Sequence, residues 1–163
     1  MFLEVAAQPF LQMILDLPVS HFVRTSVWAY PVLEMLHLIG IGLLFGPIII
    51  YDLRVLAGWG EIATPAAARL LLPWVWTGFT INALSGLLLF ASDAVEFAAN
   101  PAFQAKMALL AIAGLNASVF QLRADPGLLS GPAPAIGFRA QAAFSLMIWF
   151  AIIVAGRMIA YSD

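Results

Sequence analysis

Residues 70–92 read LLLPWVWTGFTINALSGLLLFAS, twenty-three residues without one Asp, Glu, Lys or Arg. A helix rises 1.5 Å per residue, so about 20 apolar residues cross the ~30 Å hydrocarbon core of a bilayer. This stretch is therefore a membrane span. Three others join it. Residues 107–122 and 140–156 are uncharged over 16 and 17 residues, and 25–51 is broken only by Glu34. Flanking charges snorkel to the interface and lengthen each usable segment. The expected spans lie near 28–53, 70–92, 103–122 and 139–160.

Composition agrees. Hydrophobic residues make up 63% of the chain and charged residues 10%, with a mean hydropathy of +0.98. Soluble domains carry about 25% charged residues, so this chain could not cover a water-facing surface. That excludes a cytosolic enzyme and a secreted module. Seven Lys and Arg, thinly spread, exclude a nucleic-acid binder. The absence of Cys excludes disulfides, thiolate metal sites and c-type haem attachment. The lipid bilayer is the expected partner.

Residues 1–27 differ from the rest. Glu4, Gln8, Gln12, Asp16 and Ser20 step by four through an apolar background, the pattern of a helix lying in the interface. Pro9 and Pro18 should divide it. No Lys or Arg precedes Arg24, so it does not read as a signal peptide. The expected fold is an all-α four-helix transmembrane bundle over 28–163, with an N-terminal interfacial amphipathic helix. Gly and Pro punctuate the connections, most densely from Pro126 to Gly137. Arg54, Arg69, Arg123 and Arg139 flank one side of the membrane; Arg24, Lys106 and Arg157 flank the other. The positive-inside rule then puts both termini outside the cytoplasm.

Polar residues inside the spans carry the functional information, because an ionisable group at the bilayer centre costs roughly 2.5–3.5 kcal/mol on insertion scales. Glu34 and His37 stand three apart on one helix and should share a face. Counted from Trp28, His37 lies about 13–14 Å deep, near the midplane. Both side chains should point into one cavity, walled by the Gly40 face and by Asn82 or Asn116. Three readings fit. The pair pins the helix; it serves a haem or metal; or it relays protons. In the haem reading His37 is one axial ligand, and the other is His21, a Met such as Met107 or Met147, or none. Lys106 and Arg157, at the same end of the bundle, would hold the haem carboxylates. In the metal reading His37 and Glu34 are the ligands. Asp52 follows Glu34 by eighteen residues, five turns, which puts both carboxylates on one helix face. With Arg54 or Arg69, Asp52 reads as a structural ion pair. Gly42 and Gly46 form a small-residue contact of the kind that lets membrane helices approach, or leave room for a flat ring.

The stretch Trp28-x-x-Pro31-x-x-Glu34-x-x-His37-x-x-Gly40 through Gly46 to Asp52-Leu53-Arg54 resembles a family of small, uncharacterised bacterial inner-membrane proteins. So do Leu72-Pro73-Trp74, Gly86 to Phe90 with Asp93-Ala94, Asn100-Pro101-x-Phe103-x-x-Lys106, and Ala155-Gly156-Arg157-x-Ile159-Ala160-Tyr161. That family is a domain of unknown function, with a distant likeness to the membrane part of copper-resistance D-type proteins. The resemblance implies a four-helix inner-membrane protein and brings no activity with it.

The function expected from these residues is membrane electron transfer by a b-type haem or metal at His37 and Glu34, with quinone or a redox protein as partner. A copper or proton pathway through Glu34, His37 and Asp52 is one alternative. A non-catalytic subunit or assembly factor of a larger complex is another. No nucleophile–base pair or phosphate loop is present, so the chain is at most an electron-transfer subunit and otherwise not an enzyme.

Overall fold

The computed structural model describes residues 2–57, 64–123 and 135–161. Within them the chain is helical and contains no strand. Two short helices open it, α1 (Phe2–Leu15) and α2 (Pro18–Thr25). The spans follow: α3 (Ala29–Ala57), α4 (Thr64–Ser92), α6 (Pro101–Arg123) and α7 (Ile136–Met158). A six-residue helix, α5 (Ala94–Ala99), joins α4 to α6, and a 3₁₀ turn, Ile159–Tyr161, ends the described chain. All four long helices have the length and apolarity to cross a membrane. The protein is a multi-pass, all-α membrane bundle.

The spans start and stop within a few residues of expectation. Residues 1–27, expected as one divided interfacial helix, form α1 and α2, and the division falls at Pro18. Pro18 opens α2, a position where its missing N–H costs nothing. Pro9 stays inside α1. α5 is not anticipated by the sequence; its AVEFAA run sits among polar residues and reads as a loop. Asn100 ends it and caps the next helix, accepting the backbone N–H groups of Ala102 and Phe103 at 2.9 and 3.2 Å. Pro101 then takes the first turn. The turn-rich connection expected from Pro126 to Gly137 lies almost wholly outside the described residues.

α3 is the central helix. It packs most closely on α4, and then on α7, which in turn pairs with α6. Among the described residues α1 rests on α5, and α2 on α4 and α3, so the short helices gather at one end of the bundle. The α3–α4 seam is set by glycines. A Cβ added at Gly78 would lie 2.4 Å from the Leu44 backbone nitrogen, and one at Gly40 2.7 Å from that of Asn82. Gly42 and Gly46 have nothing within 4 Å. The expected Gly42–Gly46 contact is thus replaced by Gly40 against Gly78. The reason is rotational: Gly42 lies roughly 200° around the helix from Gly40, on the face turned away from α4.

Below that seam α3 turns its contacts to α7 and α6. Val55, fully buried, packs with Phe138 and Ala142, and Tyr51 and Phe120 close the cluster. Phe45 stacks against Trp149 and Phe150 nearer the middle.

The glycine seam gives a direct expectation. Gly78→Val should lower the stability of the detergent-solubilised protein by about 1 to 3 kcal/mol or more, the usual cost of overpacking. Gly42→Ala and Gly46→Ala should leave the melting temperature unchanged. Light-scattering or fluorescence melts of the three variants would check it.

Candidate functional site

Four spans meet at one polar point. His37 comes from α3, Asn82, Ser85 and Gly86 from α4, Lys106 from α6, and Gly156 from α7. His37 Nδ1 is 3.1 Å from the Asn82 carbonyl and 3.2 Å from Ser85 Oγ. A carbonyl only accepts, so Nδ1 carries the proton and donates it. Ser85 Oγ gives its own proton to the Ile81 carbonyl at 2.7 Å, which leaves it free to accept as well. In return Asn82 Nδ2 donates to the His37 carbonyl at 3.0 Å. Side chain and backbone of each residue therefore grip the other, and the imidazole is held in one orientation.

The far side of the ring meets a cation. Lys106 Nζ stands 3.4 Å from His37 Nε2. The lysine stem runs along α7 beside Gly156, where an added Cβ would lie 3.7 Å from Nζ. Among the described residues no carboxylate lies against this ammonium group, and none contributes to its electrostatics. With Nδ1 protonated, Nε2 of the neutral ring accepts from Lys106. If the proton crosses, the ring becomes imidazolium and the amine accepts from it. The two states differ by one proton moved along one 3.4 Å contact.

Two close packings make this possible. Gly86 faces the ring, and a Cβ there would sit 2.9 Å from His37 Cε1. Gly40 lets α4 come near enough for Asn82 to reach back. Antiparallel pairing then brings residue 37 level with 85 and 86. Measured from the helix midpoints, His37 and Lys106 both lie about 9 Å toward the α2 end, and Gly156 about 14 Å. The site therefore lies nearer the α2 end of each helix than its midpoint.

Glu34 does not join it. The residue is exposed, and its charge is felt by Tyr30, four residues earlier on the same helix. Six residues rotate a helix by roughly 240°, so Glu34 is turned about 120° from the buried Gly40. Three-residue spacing brought it near His37 in sequence but left it on the outer edge. His21 is exposed on α2, with its backbone carbonyl taken by Thr25 Oγ1 at 2.8 Å. Met107 and Met147 are also exposed. Arg157 is exposed and binds Tyr161, donating from Nη2 to the phenol oxygen at 2.7 Å. None of these reaches His37. Asn116 pairs instead with Gln141, whose Nε2 donates to its carbonyl at 2.9 Å. That pair lines an open groove of about 350 Å³ between α6 and α7 with Ile112, Arg123 and Phe144, away from the histidine.

A haem iron or metal at His37 would need a free nitrogen lone pair. Nδ1 is committed to Asn82 and Nε2 faces Lys106, while Gly86 closes on the edge between them. Among the described residues no group of three His, Cys, Asp or Glu side chains gathers to hold an ion. A ring that donates Nδ1–H to a carbonyl keeps its lone pair on Nε2, and here Nε2 faces Lys106 at 3.4 Å.

Asp52 forms a second polar point at the other end of α3. Its side chain is 6% exposed and hydrogen-bonded to Ser145 of α7. The ion pair expected with Arg54 or Arg69 is therefore replaced by a hydroxyl: Arg69 is exposed on α4, and Arg54, two residues on, projects from another side of the helix. Asp52 and Glu34, expected on one face, differ in burial because α3 exchanges α4 for α7 as its neighbour along its length, with Pro47 between.

No family model, curated protein or solved structure matches the chain.

Nitrogen-15 NMR of histidine-labelled protein in micelles should report His37 as the Nδ1–H tautomer, with its Nε2 signal displaced in Lys106→Met. An Nε2–H tautomer unaffected by that change would contradict the geometry. His21→Gln assigns the remaining signal.

Proposed function

We propose that this protein handles protons in the membrane, and that His37 and Lys106 are its working pair. The observation that carries this reading is the 3.4 Å contact between two proton-exchanging nitrogens within an apolar bundle. Ionisable residues in spans mark ion and proton pathways more often than elsewhere. Imidazole exchanges protons near neutral pH, and a small change of surroundings moves it across that range. Two such interacting groups take up and release protons as a unit. Asn82 and Ser85 hold the ring, so the Nε2 face stays toward the lysine through each exchange.

The electron-transfer reading draws less support, because Nε2, the nitrogen a haem iron would use, faces Lys106. The fastener reading keeps one specific support, the reciprocal Asn82–His37 hydrogen bonds, each worth about 0.6 kcal/mol in membrane helices. A copper or metal route has no gathered ligand set among the described residues.

We place the protein in a bacterial inner membrane on the family resemblance of its sequence, with both termini on the outer face on the four-to-three Lys and Arg asymmetry across the spans. Because the chain has no native Cys, Asp163→Cys should be labelled by an impermeant thiol reagent in spheroplasts. Labelling only after lysis reverses the orientation.

Liposomes containing the purified protein, a trapped pH-sensitive dye and a potassium diffusion potential would test the proton reading. Wild-type protein should dissipate the pH gradient faster than empty liposomes. His37→Gln and Lys106→Gln should each slow it by at least about tenfold, the effect of ~1.4 kcal/mol on a barrier. Wild-type rates no greater than those of empty liposomes would reject the reading. Unchanged flux in His37→Gln, together with a lower melting temperature, would make the pair a fastener.

A further inference from the structure

The carboxyl of Asp52 has no part in the His37 site. It lies fifteen residues further along the same helix, about 22 Å in projection. One of its oxygens, Oδ2, is buried and has no hydrogen-bond partner among the described residues. The hydroxyl of Ser145 is the side-chain hydrogen bond it does have. Val55, three residues further along α3, and Ala142, three residues before Ser145 on α7, belong to one buried apolar cluster with Phe138, against which Tyr51 and Phe120 pack.

The charged and titratable groups on the neighbouring elements do not neutralise it. Tyr51 of α3 is close enough to feel its charge but can supply none at neutral pH. On α7, Arg139 turns its Nε to the Leu56 carbonyl at 3.1 Å. Arg123 of α6 and Arg69 of α4 are exposed, and Arg54 projects from another side of α3. A bare carboxylate with a free oxygen in such surroundings is strongly disfavoured, because a buried charge needs a partner. A carboxylic acid answers both needs, since one oxygen takes the Ser145 hydroxyl and the other carries hydrogen.

We propose that Asp52 is a second proton-binding site, set at the opposite end of the bundle from His37 and Lys106. One helix, α3, then presents a protonatable group toward each face of the membrane. The site extends the proton-handling reading, but its occupancy by a proton can be read without any flux.

The test uses the reaction of a carboxylic acid with dicyclohexylcarbodiimide. The acid proton passes to a carbodiimide nitrogen and the carboxyl oxygen bonds the central carbon. An acyl shift from oxygen to nitrogen then leaves a stable N-acylurea, with nothing released. The reagent is apolar and needs the protonated acid. Wild-type protein in liposomes at neutral pH should carry the adduct on Asp52 at least about tenfold above Asp16, which is exposed between α1 and α2. A water-soluble carbodiimide should reverse the preference. Asp52→Asn should lose the adduct and also the infrared C=O stretch of a protonated carboxyl. Asp52 unlabelled, or labelled no more than Asp16, would overturn the site. Because labelling is read on wild-type protein, misfolding of a variant cannot mimic that result. Asp52 labelling without proton flux would count against the His37–Lys106 reading alone, and flux without labelling against Asp52 alone.

Discussion

Hydrocarbon gives a polar side chain no solvent to turn to, so each one inside the spans must find protein. That constraint organises the bundle. His37 meets it with Asn82, Ser85 and Lys106, and the four spans converge because no single neighbour could satisfy both ring nitrogens. Asn116 and Gln141 meet it between α6 and α7. Asp52 meets it only by half, through Ser145. Glycines at 40, 78 and 86 are the steric counterpart. They remove the atoms that would keep α3 and α4 apart, and so let the polar groups touch.

The spans were legible because an uncharged run longer than the bilayer is thick has one reading. Asn100-Pro101 was legible as a boundary for a different reason: a side-chain acceptor beside a residue without an N–H suits a helix start. The partners of the spans were less legible. Gly42 and Gly46 carry the familiar spacing, yet Gly40, Gly78 and Gly86 make the contacts, because the choice depends on how α3 is rotated toward α4. Glu34 and His37 are neighbours in sequence, but a 60° offset is enough to put one on the rim and the other in the seam, taking the offset as roughly that of a three-residue step. Lys106 reads in the sequence as a charge at the right end of the bundle and as a holder of haem carboxylates, not as a partner of His37. Its contact with His37 needs the rotation of α6, which leaves no pattern in the chain. The Asp52–Ser145 bond joins residues 93 apart, on helices that the sequence does not pair.

The two polar points differ in kind. The His37–Lys106 pair joins two bases, so it holds one proton readily and a second only against charge repulsion. Asp52 is an acid in an apolar cage, stable when it holds a proton and costly when it does not. Both lie on α3, and between them the helix is lined by Leu44 and by Phe45 against Trp149 and Phe150. The described bundle therefore separates its protonatable groups by an aromatic layer. Passage between them would have to involve a rearrangement of that layer or of the α3–α7 contact.

A double-mutant cycle tests the central claim, that His37 and Lys106 act on each other across the bundle. Unfolding of His37→Ala, Lys106→Ala and the double variant in mixed micelles gives their coupling energy. Direct contact predicts at least about 0.5–1 kcal/mol, within the span measured for interacting pairs. Additive losses, agreeing within about 0.3 kcal/mol as they do for distant sites, would show that the two residues do not meet.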